Sequence, residues 1–459
     1  VVNHALILRQ LLDQIQPINF REEVAALSES EKLSKKHFVI TCIDKALQIA
    51  TKNNWGLCRN NDSVYLYNGA FWNSIPTQDL AAFLGKAALK MGMDNFVARH
   101  FSFQEDLLKQ FQVDAHLPKP ERNKGVITVN LLNGTYEIAG AKQGLRPTRK
   151  EDFITYQLPF NFDPLAKAPQ FQSFLDKSLP NVECQMVLAE FIGYLFIRTG
   201  TLKLEKVLLL YGAGANGKSV LFEVVSAMLG PENVSNYSLS HLTNDNGYFR
   251  AMIGDKLLNY ATEINGKMQT DLFKQLASGE PVDARMPYGN PFTVTDYAKF
   301  IFNCNELPKD IEHVPAYFRR FLIIPFSVTI PDRDQDRALA NKIINNELPG
   351  VFNWVLQGLS RLLDQKAFTH SDLINGQLEQ FKKQSDSVQL FLEDEAYVPS
   401  ITETVSLKEL YGKYRNYCVE CGNRYCAMRS FSDRLRANGF TIIRKSYGMV
   451  VFIEKRSVS

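Results

Sequence analysis

The residues with the most explicit chemistry are Gly212-Ala-Gly-Ala-Asn-Gly-Lys-Ser219. They fit the pattern G-x-x-x-x-G-K-[ST]. In that pattern small residues let backbone N–H groups close around phosphate oxygens, a lysine reaches the β- and γ-phosphates and a hydroxyl ligates Mg²⁺. The flanks carry as much information as the match. Lys206–Tyr211 is an apolar, strand-like run, and Val220–Leu229 is helical in pattern and stops at Gly230-Pro231. The loop is therefore expected between a strand and a helix whose N-terminus adds positive potential. Gly212, Gly214, Ala215, Asn216, Gly217, Lys218, Ser219 and Val220 are the expected binding residues for ATP. Lys218 is placed on the phosphates and Ser219 on Mg²⁺.

Hydrolysis needs an acid near the metal, a polar group for the attacking water and usually an arginine. Lys256–Thr262 is strand-like and is followed by Glu263. Two adjacent acids are the usual arrangement, but residue 262 is Thr, so Glu263 is assigned both water polarisation and the metal. Lys299–Asn305 is a second strand-like run, and the Asn305 amide at its end can bond both a γ-phosphate and a water. Asn303 competes but lies inside the strand. Phe318–Phe326 supplies Arg319 and Arg320 just before a third strand. A guanidinium there suits transition-state charge stabilisation from a neighbouring subunit, and the sequence leaves open which of the two arginines acts.

The elements that must position these groups follow from the pattern. Residues 201–345 alternate strand, helix and turn, which predicts an α/β core. Residues 1–168 read as an α+β region: helical spacing up to residue 50, then hairpins at Val64–Trp72 and at Val126–Ile138. Residues 169–200 read as a helical collar. Residues 346–385 read as a helix followed by a polar, Gln/Lys-rich linker from 365, and 386–459 as a last small unit. The 459 residues, 45% hydrophobic and 22% charged, suit several ordinary globular domains. No apolar run approaches the ~18 residues that a membrane span needs. The first residues lack both Met and a leader-like pattern, as in a piece of a longer cytoplasmic polypeptide.

Seven scattered cysteines fit a reducing compartment. Cys418, Cys421 and Cys426 form C-x2-C-x4-C, but a tetrahedral zinc site needs a fourth ligand and none follows. They are read as small residues packing a helix end. The net charge is only +3, yet residues 421–459 hold eight basic residues (Arg424, Arg429, Arg434, Arg436, Arg444, Lys445, Lys455 and Arg456) against Asp433 and Glu454. A basic end on an otherwise acidic chain suits a polyanionic partner and, on charge alone, equally a solubilising surface.

In this order and at these spacings the motifs resemble superfamily 3 helicases, in particular the phage, plasmid and poxvirus primase-helicase family. The loop of that family reads G-x-G-x-N-G-K-S, matched from Gly212 to Ser219. A lone acid after an apolar strand, an Asn305-x-x-Pro308 sensor and an Arg319-Arg320 segment also belong to it. The resemblance implies an AAA+-type P-loop core, a hexameric ring, single-stranded or forked DNA as substrate, and a role in replicating a virus, phage or mobile element. A primase or polymerase is an implied partner, although residues 1–120 show no carboxylate cluster that would prime. It also implies a pore hairpin, matched by Lys274–Val294, with Lys274, Arg285 and Tyr288 as DNA contacts. The C-terminal helix, helix and basic hairpin then read as a winged helix, with Arg434, Arg436, Arg444 and Lys445 on phosphates. Two other functions stay open: a DNA-binding ring NTPase that loads or defends without unwinding, and a small-molecule P-loop kinase, for which no acceptor lid is visible.

Overall fold

The computed structural model describes residues 3–24, 32–60, 63–117, 125–140, 142–198, 200–261, 269–307, 314–423 and 425–456. Two compact units emerge, residues 1–166 with 228–230, and residues 167–227 with 231–459.

In the first unit the helices Lys35–Lys52, Thr77–Lys90 and Phe101–Asp114 bury one face each. Residues at helical spacing form that core: Val39, Ile43 and Ala46; Leu80, Phe83, Leu84 and Ala87; Phe103, Leu107 and Phe111. β1 (Gly56–Asn60), β2 (Ser63–Tyr67) and β3 (Trp72–Ile75) form an antiparallel meander. The expected turn at Asn68-Gly69 holds because the Asn68 Oδ1 accepts from Ala70 N at 3.0 Å and Phe71 N at 2.9 Å. β4 (Val126–Leu131), β5 (Gly134–Ala139) and β6 (Lys142–Arg146) form a second meander. The fully buried Asn130 donates to Ala70 O at 3.0 Å and Tyr156 O at 3.1 Å, which ties the two meanders together.

The second unit is built on a parallel sheet of β7 (Val207–Tyr211), β8 (Val234–Ser235), β9 (Leu258–Ala261), β12 (Lys299–Cys304) and β13 (Phe321–Pro325). The order across the sheet is β13-β7-β12-β9-β8. β7, β9, β12 and β13 are buried along nearly their whole length, as in a parallel sheet screened from water on both faces. The register sets Tyr211 level with both Pro325 and Cys304, so the ends of three strands line up at one edge. A short antiparallel hairpin, β10 (Val282–Ala284) with β11 (Phe292–Val294), interrupts the chain between β9 and β12.

The helix Val182–Tyr194 crosses the helix Leu348–Gln365 at very close range. A Cβ on Gly358 would lie 2.4 Å from the Ala189 carbonyl carbon, and one on Gly193 would lie 2.8 Å from the Leu359 Cβ. The expected linker at 365–385 is instead largely a helix, Asp372–Gln384. Ser371 caps it by accepting from Ile374 N, and Phe381 packs edge-on against Phe318 and Phe321. The Gln- and Lys-rich composition that suggests a loop is equally good helix-forming composition, and buried Ile374 and Phe381 with half-buried Leu378 supply the apolar stripe.

The C-terminal residues have a core of their own, drawn from the helices Ser387–Asp394, Leu407–Glu420 and Met428–Ala437. β14 (Tyr397–Ser406), β15 (Ile442–Lys445) and β16 (Gly448–Lys455) form a sheet of order β14-β16-β15. Cys418 is buried in that core and Cys421 is exposed, so the packing reading of the cysteines fits the first and not the second. Cys426 is pinned by two tyrosines, its N–H donating to Tyr414 OH and its carbonyl accepting from Tyr411 OH, both at 2.9 Å.

Candidate nucleotide-binding site

The Gly212–Ser219 loop leaves the C-terminal end of β7 and runs into the helix Lys218–Leu229. It is fastened to its neighbours through the backbone. Gly212 N donates to Cys304 O at 3.1 Å, Phe326 N donates to Tyr211 O at 2.6 Å, and Ile330 N donates to Ala215 O at 2.8 Å. Gly212 is required by close approach, since a Cβ there would sit 2.2 Å from Phe326 O. Gly217 has a left-handed backbone (φ 89°) and faces the Phe174 ring, which a Cβ would meet at 2.7 Å.

Asn216 has a role that the motif alone does not explain. It is buried, and its Nδ2 donates to Phe326 O at 2.9 Å while its Oδ1 accepts from Lys218 Nζ at 3.1 Å. It therefore locks the loop to the end of β13 and orients the lysine. The Lys218 residue is 7% exposed. Its other acceptors are Gly212 O at 2.6 Å and Ala213 O at 3.0 Å, and burial holds its ammonium below the ordinary lysine range. Among the described residues no carboxylate pairs with it. A buried cation held only by neutral oxygens, at the start of a helix with exposed Ser219 beside it, fits an anion carrying a metal.

The other predicted residues separate into two groups. Asn305 is exposed and directly follows Cys304, whose carbonyl takes the Gly212 N–H, so it lies beside the loop. Its competitor Asn303 is buried and accepts from Tyr260 OH at 3.1 Å. Glu263 lies outside the described residues, two positions beyond the end of β9, as does Pro308 of the sensor pattern. Arg319 and Arg320, by contrast, precede β13 and lie at the opposite edge of the sheet. Five strand residues, about 16 Å of backbone, separate them from the loop side.

The two arginines differ. Arg320 has a buried side chain that donates to Ser278 Oγ at 3.0 Å and to Ala316 O. The Arg319 side chain is 64% exposed. On the hairpin, Val282, Ala284 and Val294 face the core, and Tyr288 at the tip is fully exposed with φ 60°. The Arg285 guanidinium lies 5.2 Å from the Tyr248 ring centroid. Lys274 pairs with Asp271 at 3.2 Å. In the C-terminal region Arg434 is paired with the nearly buried Asp386 at 3.1 Å, which also caps the helix Ser387–Asp394. That engagement makes Arg434 a structural residue rather than a free surface cation. Arg436 pairs with Asp433, while Arg444 is exposed beside Lys445, whose ammonium lies over Tyr447 and Phe452.

Comparison with known proteins bears on both units. The family described as "D5 N terminal like" matches residues 43–180, and a family of unknown function, DUF5906, matches residues 210–320. A protein of Acanthamoeba polyphaga mimivirus named as a helicase, L207/L206, is 25% identical over 260 residues, covering 49% of this chain. The match over residues 43–180 and the mimivirus relative together support a likeness to the primase-helicase family. The match spans 26% of the mimivirus relative. Among solved structures, two apo forms of the NrS-1 C-terminal region align over 88% of this chain and 97% of theirs, at 10% and 11% identity and a TM-score of 0.48. The DUF5906 match runs from the end of β7 to Arg320, so it takes in both edges of the sheet. Among the described residues no helix is long and apolar enough to cross a membrane.

Proposed function

We propose that this chain is an ATP-dependent DNA helicase or translocase of superfamily 3, with an AAA+-type core and a C-terminal winged helix. It acts as a homo-hexameric ring in the replication of a virus, phage or mobile element. The observation that carries this reading is the division of the candidate site between two edges of one sheet. The phosphate loop and Asn305 occupy one edge and the arginine pair the other, so one subunit alone cannot bring them to one phosphate. A ring in which the arginine edge of one subunit meets the loop edge of the next completes the set.

In that arrangement the N–H groups from Gly214 to Ser219 wrap the phosphates, and Lys218 exchanges its neutral acceptors for phosphate oxygens. Ser219 and Glu263 hold Mg²⁺, which when bound neutralises charge developing on the phosphates. Asn305 orients the attacking water, and exposed Arg319 is the better placed of the pair to reach a neighbour. Tyr288 offers a stacking face to single-stranded DNA, and Arg444 and Lys445 offer charge to its backbone. One observation favours the reading without unwinding: the hairpin tip carries no lysine, and its Arg285 is already stacked on Tyr248.

A mixing experiment tests the divided site. Lys218→Ala and Arg319→Ala proteins are each expected to lack DNA-stimulated hydrolysis, and a mixture of the two is expected to regain it. Such mixed interfaces pair an intact loop with an intact arginine. Failure of the mixture to exceed either protein alone, with both still forming oligomers, overturns the ring reading. Strand displacement on forked DNA then separates a helicase from a ring NTPase that only binds.

A further inference from the structure

Glu205 occupies an unusual position. It is a non-glycine residue with a left-handed backbone (φ 55°), on the short connection from the helix Val182–Tyr194 to β7. L-residues other than Asn and Asp rarely hold that conformation unless their surroundings require it. Both flanks of the position are fixed. Leu204 N donates to Tyr194 OH at 3.2 Å, and Val207 N donates to Arg320 O at 2.8 Å. The carboxylate is aimed at the arginine pair. Its Oε2 lies 3.4 Å from Arg319 Nη2 and 3.7 Å from Arg320 Nη2, and its Oε1 lies 3.2 Å from Lys203 Nζ.

The surroundings separate the three partners. Arg320 is held by Ser278 and Ala316 whether or not Glu205 is present. Lys203 has a second acid in Glu280 at 3.5 Å. For the Arg319 guanidinium, Glu205 is the one anion in contact among the described residues. The main chain of Arg319 is itself anchored, its carbonyl accepting from Lys206 Nζ at 2.5 Å and its N–H donating to Pro315 O at 3.1 Å. The base of the side chain is thus rigid, and only its outer torsions remain to be set.

We propose that Glu205 is a positioning residue for Arg319. Its carboxylate restricts where the guanidinium sits before it meets the nucleotide of the neighbouring subunit. The inference rests on the ring reading above. An exposed contact of this length is weak, so Arg319 can leave it for a phosphate at little cost, while the bias in side-chain conformation is in place beforehand.

A double-mutant cycle tests it with the full chain, ATP, Mg²⁺ and single-stranded DNA, reading kcat, KM for ATP and thermal melting for E205Q, E205D, R319A and E205Q/R319A. E205Q is expected to lower kcat by about 5–10-fold with KM and melting unchanged, a coupling of the size seen for residues in contact. E205D is expected to restore part of it. R319A is expected to lose about 100-fold or more, and adding E205Q to R319A is expected to cost nothing further. An E205Q effect of equal size in both backgrounds, or one confined to KM or melting, overturns the role of Glu205 alone. Full hydrolysis by R319A overturns the arginine reading and the Glu205 role together.

Discussion

The two edges of the parallel sheet are built on opposite principles. At the C-terminal edge a cation is buried and given only neutral partners: Lys218 with two carbonyls and the Asn216 amide. At the N-terminal edge a cation is exposed and given an anion: Arg319 with Glu205. The first arrangement is expensive without a ligand and therefore specific for one. The second is inexpensive and keeps a guanidinium ready at a surface. On the proposed reading, the buried, unneutralised lysine is the group that receives phosphate, and the exposed, weakly paired arginine is the group delivered to it.

The largest expected effect separates the two edges by what is lost. Lys218→Ala should abolish both nucleotide binding and hydrolysis, whereas Arg319→Ala should lower hydrolysis by about 100-fold or more and leave the Kd for ATP unchanged. Equal losses of binding in both, measured by titration with a fluorescent nucleotide, would erase the contrast. Next in size, Arg320→Ala should cost stability rather than chemistry alone, about 3 kcal/mol in chemical denaturation, because it strips partners from Ser278, Ala316 and Glu205 at a buried position. A smaller change is expected at the receiving edge: Asn216→Ala removes two buried hydrogen bonds and should weaken ATP binding about tenfold.

The smallest concerns Lys299, on the delivering side, whose ammonium bonds Ile197 O and lies 4.4 Å over the Tyr194 ring. Burial pushes it down from 10.5 to about 7. Unfolding returns it to the ordinary range, so between those values the unfolded chain holds a proton that the folded chain lacks. Its contribution to stability is therefore least below pH 7 and rises as pH increases through that window. Lys299→Met should flatten this slope and raise stability at pH 7 by about 1 kcal/mol, read by melting at several pH values.

What the sequence made legible was the receiving edge. The loop, the strand before it and the helix after it follow from local patterns alone, and the exposure of Asn305 against the burial of Asn303 follows from position in a strand. The delivering edge was harder to read. Arg319 and Arg320 are adjacent and of one type, and only the packing of Ser278 against Arg320 tells them apart. β8 has two residues and carries no periodic signal. β14 is polar at its centre and shifts register between Pro399 and Thr404, which hides its alternation. The helix Asp372–Gln384 buries few residues, so its polar majority conceals it. Arg434 counted toward a basic surface because its partner Asp386 lies 48 residues away.

The glycines where the helices Val182–Tyr194 and Leu348–Gln365 cross have a mechanical consequence. Each glycine lies directly against the backbone and Cβ of the facing residue, Gly358 on Ala189 and Gly193 on Leu359, and Glu190 in the same helix is fully buried against Arg361 at 2.5 Å. Such a joint has no compressible layer: the two helices tilt together or not at all. Tyr194 closes the first helix and takes the Leu204 N–H just ahead of Glu205. The welded pair is thus a stiff beam ending on the mounting of the arginine. Gly358→Ala would put slack, or a break, into the whole lever while leaving every atom of the phosphate loop unchanged.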